Sequence, residues 1–210
     1  MKTDDLIQAL AAGLEPVRPA RLNRLFLMAA VVTAAIGVVL MLGVRPDLGQ
    51  AATGAAFWLK AVYTLSLAAA SAWLVQRLGR PGTDIGRAGV ALAAVVAVAA
   101  LAGVIELLSL PANLRMDDLM GFTWQVCAIN ILKVSAFAAP LVFLSARRLA
   151  PTRPVLAGGA LGVLTGAIAA TAYGLHCPEA TAAFVAVWYT LGVMAAGLIG
   201  TLIGRFALRW

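Results

Sequence analysis

The sequence predicts an all-α membrane protein: a six-transmembrane-helix bundle preceded by a short cytoplasmic amphipathic helix. Three observations predict it. Hydrophobic residues make up 62% of the 210-residue chain and charged residues 12%, whereas soluble domains carry roughly 45 to 50% and 25%. A water-soluble chain of this length would expose long Ala/Val/Leu/Gly faces with nothing to cover them, so lipid is their natural solvent. The apolar residues also fall into six runs of the length that crosses a bilayer, roughly 20 residues each. Finally, the arginines punctuate these runs. The formal charge of +7 therefore reads as a determinant of membrane orientation and not as a nucleic-acid patch, and no direct nucleic-acid partner is expected.

Residues 1–24 form the cytoplasmic segment. Leu6, Ile7, Leu10, Ala11 and Leu14 recur at spacings that make one apolar stripe on a helix over 3–14. Thr3 is placed to cap it, and Asp4 and Asp5 in its first turn favour the helix dipole. Pro16 and Pro19 stop it and leave a stiff link to Arg21 and Arg24. So short an amphipathic helix is marginal alone and gains order by docking. Its acidic residues, with Glu15, disfavour anionic lipid, which points to a protein partner. No cleaved signal is read at this end, because the chain opens Met-Lys-Thr-Asp-Asp and turns apolar only near Leu25.

Residues 25–210 form the transmembrane domain, with spans at 25–44, 57–78, 88–110, 124–145, 155–175 and 182–204. Arg45-Pro46-Asp47, Gly79-Arg80-Pro81-Gly82, Pro111, Arg147-Arg148 and His176-Cys177-Pro178-Glu179 separate them. An even number of spans puts both termini on one side. Lys2, Arg18, Arg21, Arg24, Arg77, Arg80, Arg87, Arg147, Arg148, Arg153, Arg205 and Arg209 share that side, leaving Arg45 and Arg115 opposite. The side of the termini is therefore cytoplasmic, and a bacterial inner membrane would place the other loops in the periplasm. Gly158, Gly162 and Gly166 in the fifth span, with Gly192, Ala196, Gly200 and Gly204 in the sixth, allow close helix approach, either inside the bundle or across a homodimer.

Convergent polar groups at depth are few. Lys60 and Glu106 lie near the periplasmic ends of their spans, from which they can snorkel, while Lys133 sits deeper and needs a partner. Glu106 is the expected partner, since the third and fourth spans run antiparallel; Asn130 is the remaining candidate. A single histidine excludes bis-histidine haem within the chain, and neither a Gly-Xaa-Ser-Xaa-Gly elbow nor a phosphate loop is present. The chain is not expected to be an enzyme or to need a cofactor. A small transporter or permease, with Glu106, Asn130 and Lys133 lining a polar path, is the competing class, although no pair of Pro-interrupted spans in matching halves supports it.

Cys127 opens the fourth span from the periplasmic side and Cys177 lies in the loop between the fifth and sixth, so topology puts both thiols on one face. They can form a structural disulfide, stay unpaired at the rim, or offer a soft pair to cadmium or zinc, with His176 and Glu179 able to complete the site.

Several stretches carry a family resemblance: Met1-Lys2-Thr3-Asp4-Asp5-Leu6-Ile7, the Pro16-Val17-Arg18-Pro19 link, the two cysteines, and the run from Cys177 through Phe184 into Trp188-Tyr189-Thr190-Leu191-Gly192. In these the whole chain resembles the NrsF family, six-helix inner-membrane anti-sigma factors that restrain extracytoplasmic-function sigma factors. The resemblance implies that Asp4, Asp5, Leu6, Ile7, Leu10 and Leu14 meet a cytoplasmic sigma factor. It also implies that Cys127 and Cys177 sense heavy metals such as chromium and cadmium. The implied mechanism is sequestration of the sigma factor at the membrane until the periplasmic cysteines register metal or oxidation.

Overall fold

The computed structural model describes residues 3–12, 21–80 and 82–208, and every regular element among them is helical. In chain order these are α1 (Thr3–Ala11), α2 (Arg24–Met41), α3 (Leu48–Ala51), α4 (Ala55–Leu78), α5 (Gly86–Ser109), α6 (Arg115–Met120), α7 (Trp124–Ser145), α8 (Pro154–Tyr173), α9 (Ala182–Phe184) and α10 (Thr190–Ala207). A π-helical turn, Val185–Tyr189, joins α9 to α10 without a break. Six of these helical stretches are long and apolar enough to cross a membrane. Their ends agree with the sequence-predicted spans to within a helical turn, since the stops are Gly, Pro and Arg clusters that interrupt helices in any environment. The short loop helices α3 and α6 and the π turn carry no comparable sequence signal.

Helix α8 is the central element. Its small residues leave no bulky face, and it is buried almost end to end, packed by α10, α4, α7 and α2. The glycine seam decides the closest contact. A Cβ on Gly158 would stand 2.5 Å from Gly204 Cα, one on Gly162 would be 2.9 Å from Gly197 Cα, and one on Gly166 would be 2.9 Å from Val193 Cα. The four-residue spacing thus serves antiparallel packing of α8 on α10 inside one chain, where backbone meets backbone. Buried hydroxyls are satisfied along their own helices: Ser71 donates to Leu67 O at 2.7 Å, Ser135 to Ile131 O at 2.8 Å and Thr165 to Leu161 O at 2.8 Å.

Cross-helix contacts define the two ends of the bundle. At one, Asn23 N donates to Ser145 O at 3.0 Å, and Gly79 abuts the side chain of Leu149. At the other, Arg45 N donates to Leu175 O at 3.2 Å, and the loop 174–181 is met by residues of α4, α5 and the α6–α7 turn. Helix α5 is peripheral. It packs on α4 and α9 and not on α7, and Ala88 and Gly103 are its buried residues.

Candidate functional site

The loop that follows α8 is the centre of the second end. Gly174 closes the helix, the amides of His176 and Cys177 both donate to Tyr173 O at 3.0 Å, and Pro178 prevents the chain from winding on. Cys177 is thereby turned inwards. Cys127 comes from the first turn of α7, where its amide donates to Thr123 O at 3.0 Å. Both thiols are free and fully buried, close enough to influence each other electrostatically. Thr123 Oγ1 stands 4.0 Å from Cys177 Sγ. Tyr173 and Tyr189, with ring centroids 5.8 Å apart, close the cluster, and the buried Asn130 lies near Tyr173. The Tyr189 hydroxyl interacts with Cys177 but is buried without a well-directed hydrogen-bond partner. The Cys177 thiol is held below its ordinary pKa, first by the hydrogen bond from Cys127 and then by the nearby Lys60 charge, against the opposing effect of burial.

Lys60 departs from its expected role. It does not snorkel: its side chain is buried, and its ammonium donates to Cys177 O at 3.1 Å and Glu179 O at 2.6 Å. Nζ also lies 5.6 Å from the centre of the Tyr189 ring. The physical reason is the turned-in loop, which offers two carbonyl oxygens to the ammonium. The inward face of α4 was legible as a polar stripe, because Lys60, Tyr63, Thr64 and Ser71 follow helical spacing and are all buried.

Glu179 ties the same loop to the start of α7. Its Oε1 accepts from Phe122 N at 2.8 Å, Thr123 N at 2.9 Å and Thr123 Oγ1 at 3.0 Å. Gly121 makes this possible: its φ is +55°, and a Cβ there would stand 2.6 Å from Glu179 Oε2. Arg45 adds a third hold, with Nη1 donating to Cys177 O at 3.4 Å and its guanidinium oriented by Asp47 at 2.6 and 2.7 Å. Mutual hydrogen bonding raises the Arg45 pKa and lowers that of Asp47.

His176 does not face the sulfurs with Nδ1, which bonds to Gly43 O at 3.0 Å. Since a carbonyl cannot donate, Nδ1 carries the proton there. Among the described residues no group of three or more His, Cys, Asp or Glu side chains is arranged to hold a metal ion.

Glu106 and Lys133 are not brought together, because α5 and α7 do not pack. Glu106 Oε2 instead accepts from Ala183 N at 2.8 Å, capping the first turn of α9 beside the Thr181 hydroxyl, which accepts from Phe184 N at 3.3 Å. Lys133 is exposed on the outside of α7. On α1 no residue is buried; Leu6, Ile7 and Leu10 are 42%, 59% and 68% exposed, and Asp4 and Asp5 lie in the first turn. Leu14 and the Pro16 and Pro19 link fall outside the described residues.

Comparison with known proteins adds an independent finding. The family described as NrsF, negative regulator of sigma F, matches residues 10–210. "Anti-sigma-F factor NrsF" of Caulobacter vibrioides is 46% identical, and "Probable anti-sigma-F factor NrsF" of Azospira oryzae is 40% identical, each over 100% of both chains. No solved structure matches. With identity at this level over the whole of both chains, the chain belongs to the NrsF family of negative regulators of sigma F.

Proposed function

We propose that this chain is a membrane-embedded anti-sigma factor that holds an extracytoplasmic-function sigma factor against one face of the bilayer. Family membership over residues 10–210 is the observation that carries this reading. Two features support its parts. The apolar stripe of α1 is exposed, as a helix awaiting a groove would be. The outward faces of the long helices present Leu40, Val90, Leu101, Leu108, Leu198 and Leu202 to the surroundings, which suits lipid and not water. On this reading residues 1–24 are the sigma-binding segment and 25–210 the anchor, with the arginine-rich end in the cytoplasm. Replacing Leu6 and Leu10 with Asp should abolish co-purification of the sigma factor while membrane insertion persists. Continued capture by the double variant rejects the α1 site.

In the same reading Cys127 and Cys177 are the sensor. Two buried sulfurs at one end of the bundle are a soft donor pair suited to a thiophilic cation such as cadmium. A change in how the loop sits on α7 would then bias one packing over another, and a coupling of about 1 to 3 kcal/mol changes affinity at a linked site roughly 5- to 150-fold. Cys127→Ser or Cys177→Ser should blunt metal-induced release of the sigma factor; an undiminished response in both moves the sensor elsewhere.

A further inference from the structure

Lys60 is a cation in an unusual setting. It is 5% exposed, and among the described residues no carboxylate lies within ion-pair distance of it. A buried ammonium without a counter-charge is costly unless dipoles surround it. Here the dipoles are two carbonyl oxygens of the loop 174–181, supplemented by the face of Tyr189. One of those carbonyls belongs to Cys177 and the other to Glu179, whose side chain reaches the turn that starts α7. Lys60 thus joins α4 to the two residues that set Cys177 against Cys127.

We propose that Lys60 is the positioning residue of the thiol pair: its buried ammonium clamps the α8–α9 loop onto α4, so that Cys177 faces Cys127. The inference rests on the sensor reading for its biological meaning and on the geometry alone for its truth. The loop's other holds run elsewhere: Leu175 O and His176 Nδ1 meet the segment after α2, at Arg45 N and Gly43 O. Arg45 makes a longer contact to the Cys177 carbonyl, at 3.4 Å, and Glu179 fixes the far side of the loop to α7 without reaching α4. Two charge-assisted hydrogen bonds from Lys60 tie the loop's carbonyls to α4. Movement of the loop off α4 leaves the buried ammonium without either acceptor, which opposes release of the loop.

Amide hydrogen exchange on the full-length protein in lipid nanodiscs tests this with Lys60→Met, Lys60→Arg and the wild type. Lys60→Met fills similar volume without donors, and peptides covering 174–181 should exchange roughly tenfold faster or more, the size of effect expected for losing one such bond. Peptides from the α8–α10 seam should be unchanged, which separates a released loop from an unfolded chain. Lys60→Arg keeps charge and donors and should restore protection to near the wild-type level. If Lys60→Met fails to assemble, Lys60→Gln, a neutral donor, should give intermediate protection. Wild-type exchange in Lys60→Met or Lys60→Gln, or an Arg variant as unprotected as Met, overturns the clamp. No metal and no sigma factor are present in this measurement. A failed clamp therefore leaves the sensor reading standing, and a failed sensor reading, judged from the cysteine variants, leaves the clamp standing.

Discussion

At the residue scale, the second end of the bundle is organised by side chains that bond to backbone. Glu179 is the clearest case, a buried carboxylate satisfied by two amides and one hydroxyl of Phe122 and Thr123. Removing it takes the charged acceptor from three part-buried donors, so Glu179→Ala should lower stability by about 2 to 3 kcal/mol. Glu179→Gln keeps an acceptor oxygen and should lose less. Thermal unfolding in detergent ranks the two, and equal losses would show that the acceptor is not what matters. Glu106 plays a smaller version of the same role for Ala183. Its sequence-expected partnership with Lys133 failed for a reason no residue pattern carries: antiparallel neighbours in sequence need not be neighbours in space. Lys60 departs from expectation in the opposite direction: its place near a helix end is visible in the sequence, but the loop that covers that end is not.

At the element scale, the composition of α8 and α10 translates directly into packing. Glycine at 158, 162, 166, 197, 200 and 204 lets two backbones meet, and a Cβ at Gly158 or Gly162 runs into the opposite main chain and not into a movable side chain. Gly162→Leu should therefore force the helices apart and cost about 3 kcal/mol or more, at the upper end of overpacking effects. A variant that melts like the wild type would contradict the seam. By contrast, Gly89 has open space where a Cβ would go, and Gly89→Ala should be neutral or slightly stabilising through helix propensity. The π turn is the element that sequence reading missed altogether. It carries Tyr189 to the thiol pair, and Thr190 beside it bonds to Tyr63 OH at 2.5 Å. Such turns collect at functional sites because they re-aim one side chain within an otherwise regular helix.

For the whole molecule, the prediction concerns sides. If the chain crosses a bilayer six times, α1 and the loop 174–181 face different compartments. In a Cys127→Ser, Cys177→Ser background, Gln8→Cys should react with a membrane-impermeant maleimide only in inverted vesicles. Ala180→Cys should react only in intact cells, and both positions are exposed in the fold. Labelling of both from one side would end the proposal that the thiol pair reports across the membrane to the α1 stripe.

Segment by segment, the sequence specifies the six long helices, their ends to within a turn, the gathering of most arginines at one end and of both cysteines at the other, and the family. Those properties depend on local chemistry: apolar run length, helix stops and charge are legible one segment at a time. Tertiary structure alone decided which helices touch, with α8 central and α5 peripheral. It also decided that both cysteines are buried, that Lys60 turns inwards to hold the Cys177 loop, and that Glu106 caps α9 instead of pairing with Lys133. Those outcomes depend on which backbone oxygens and amides a fold leaves near a buried charge. That information belongs to the assembled chain and to no single stretch of it.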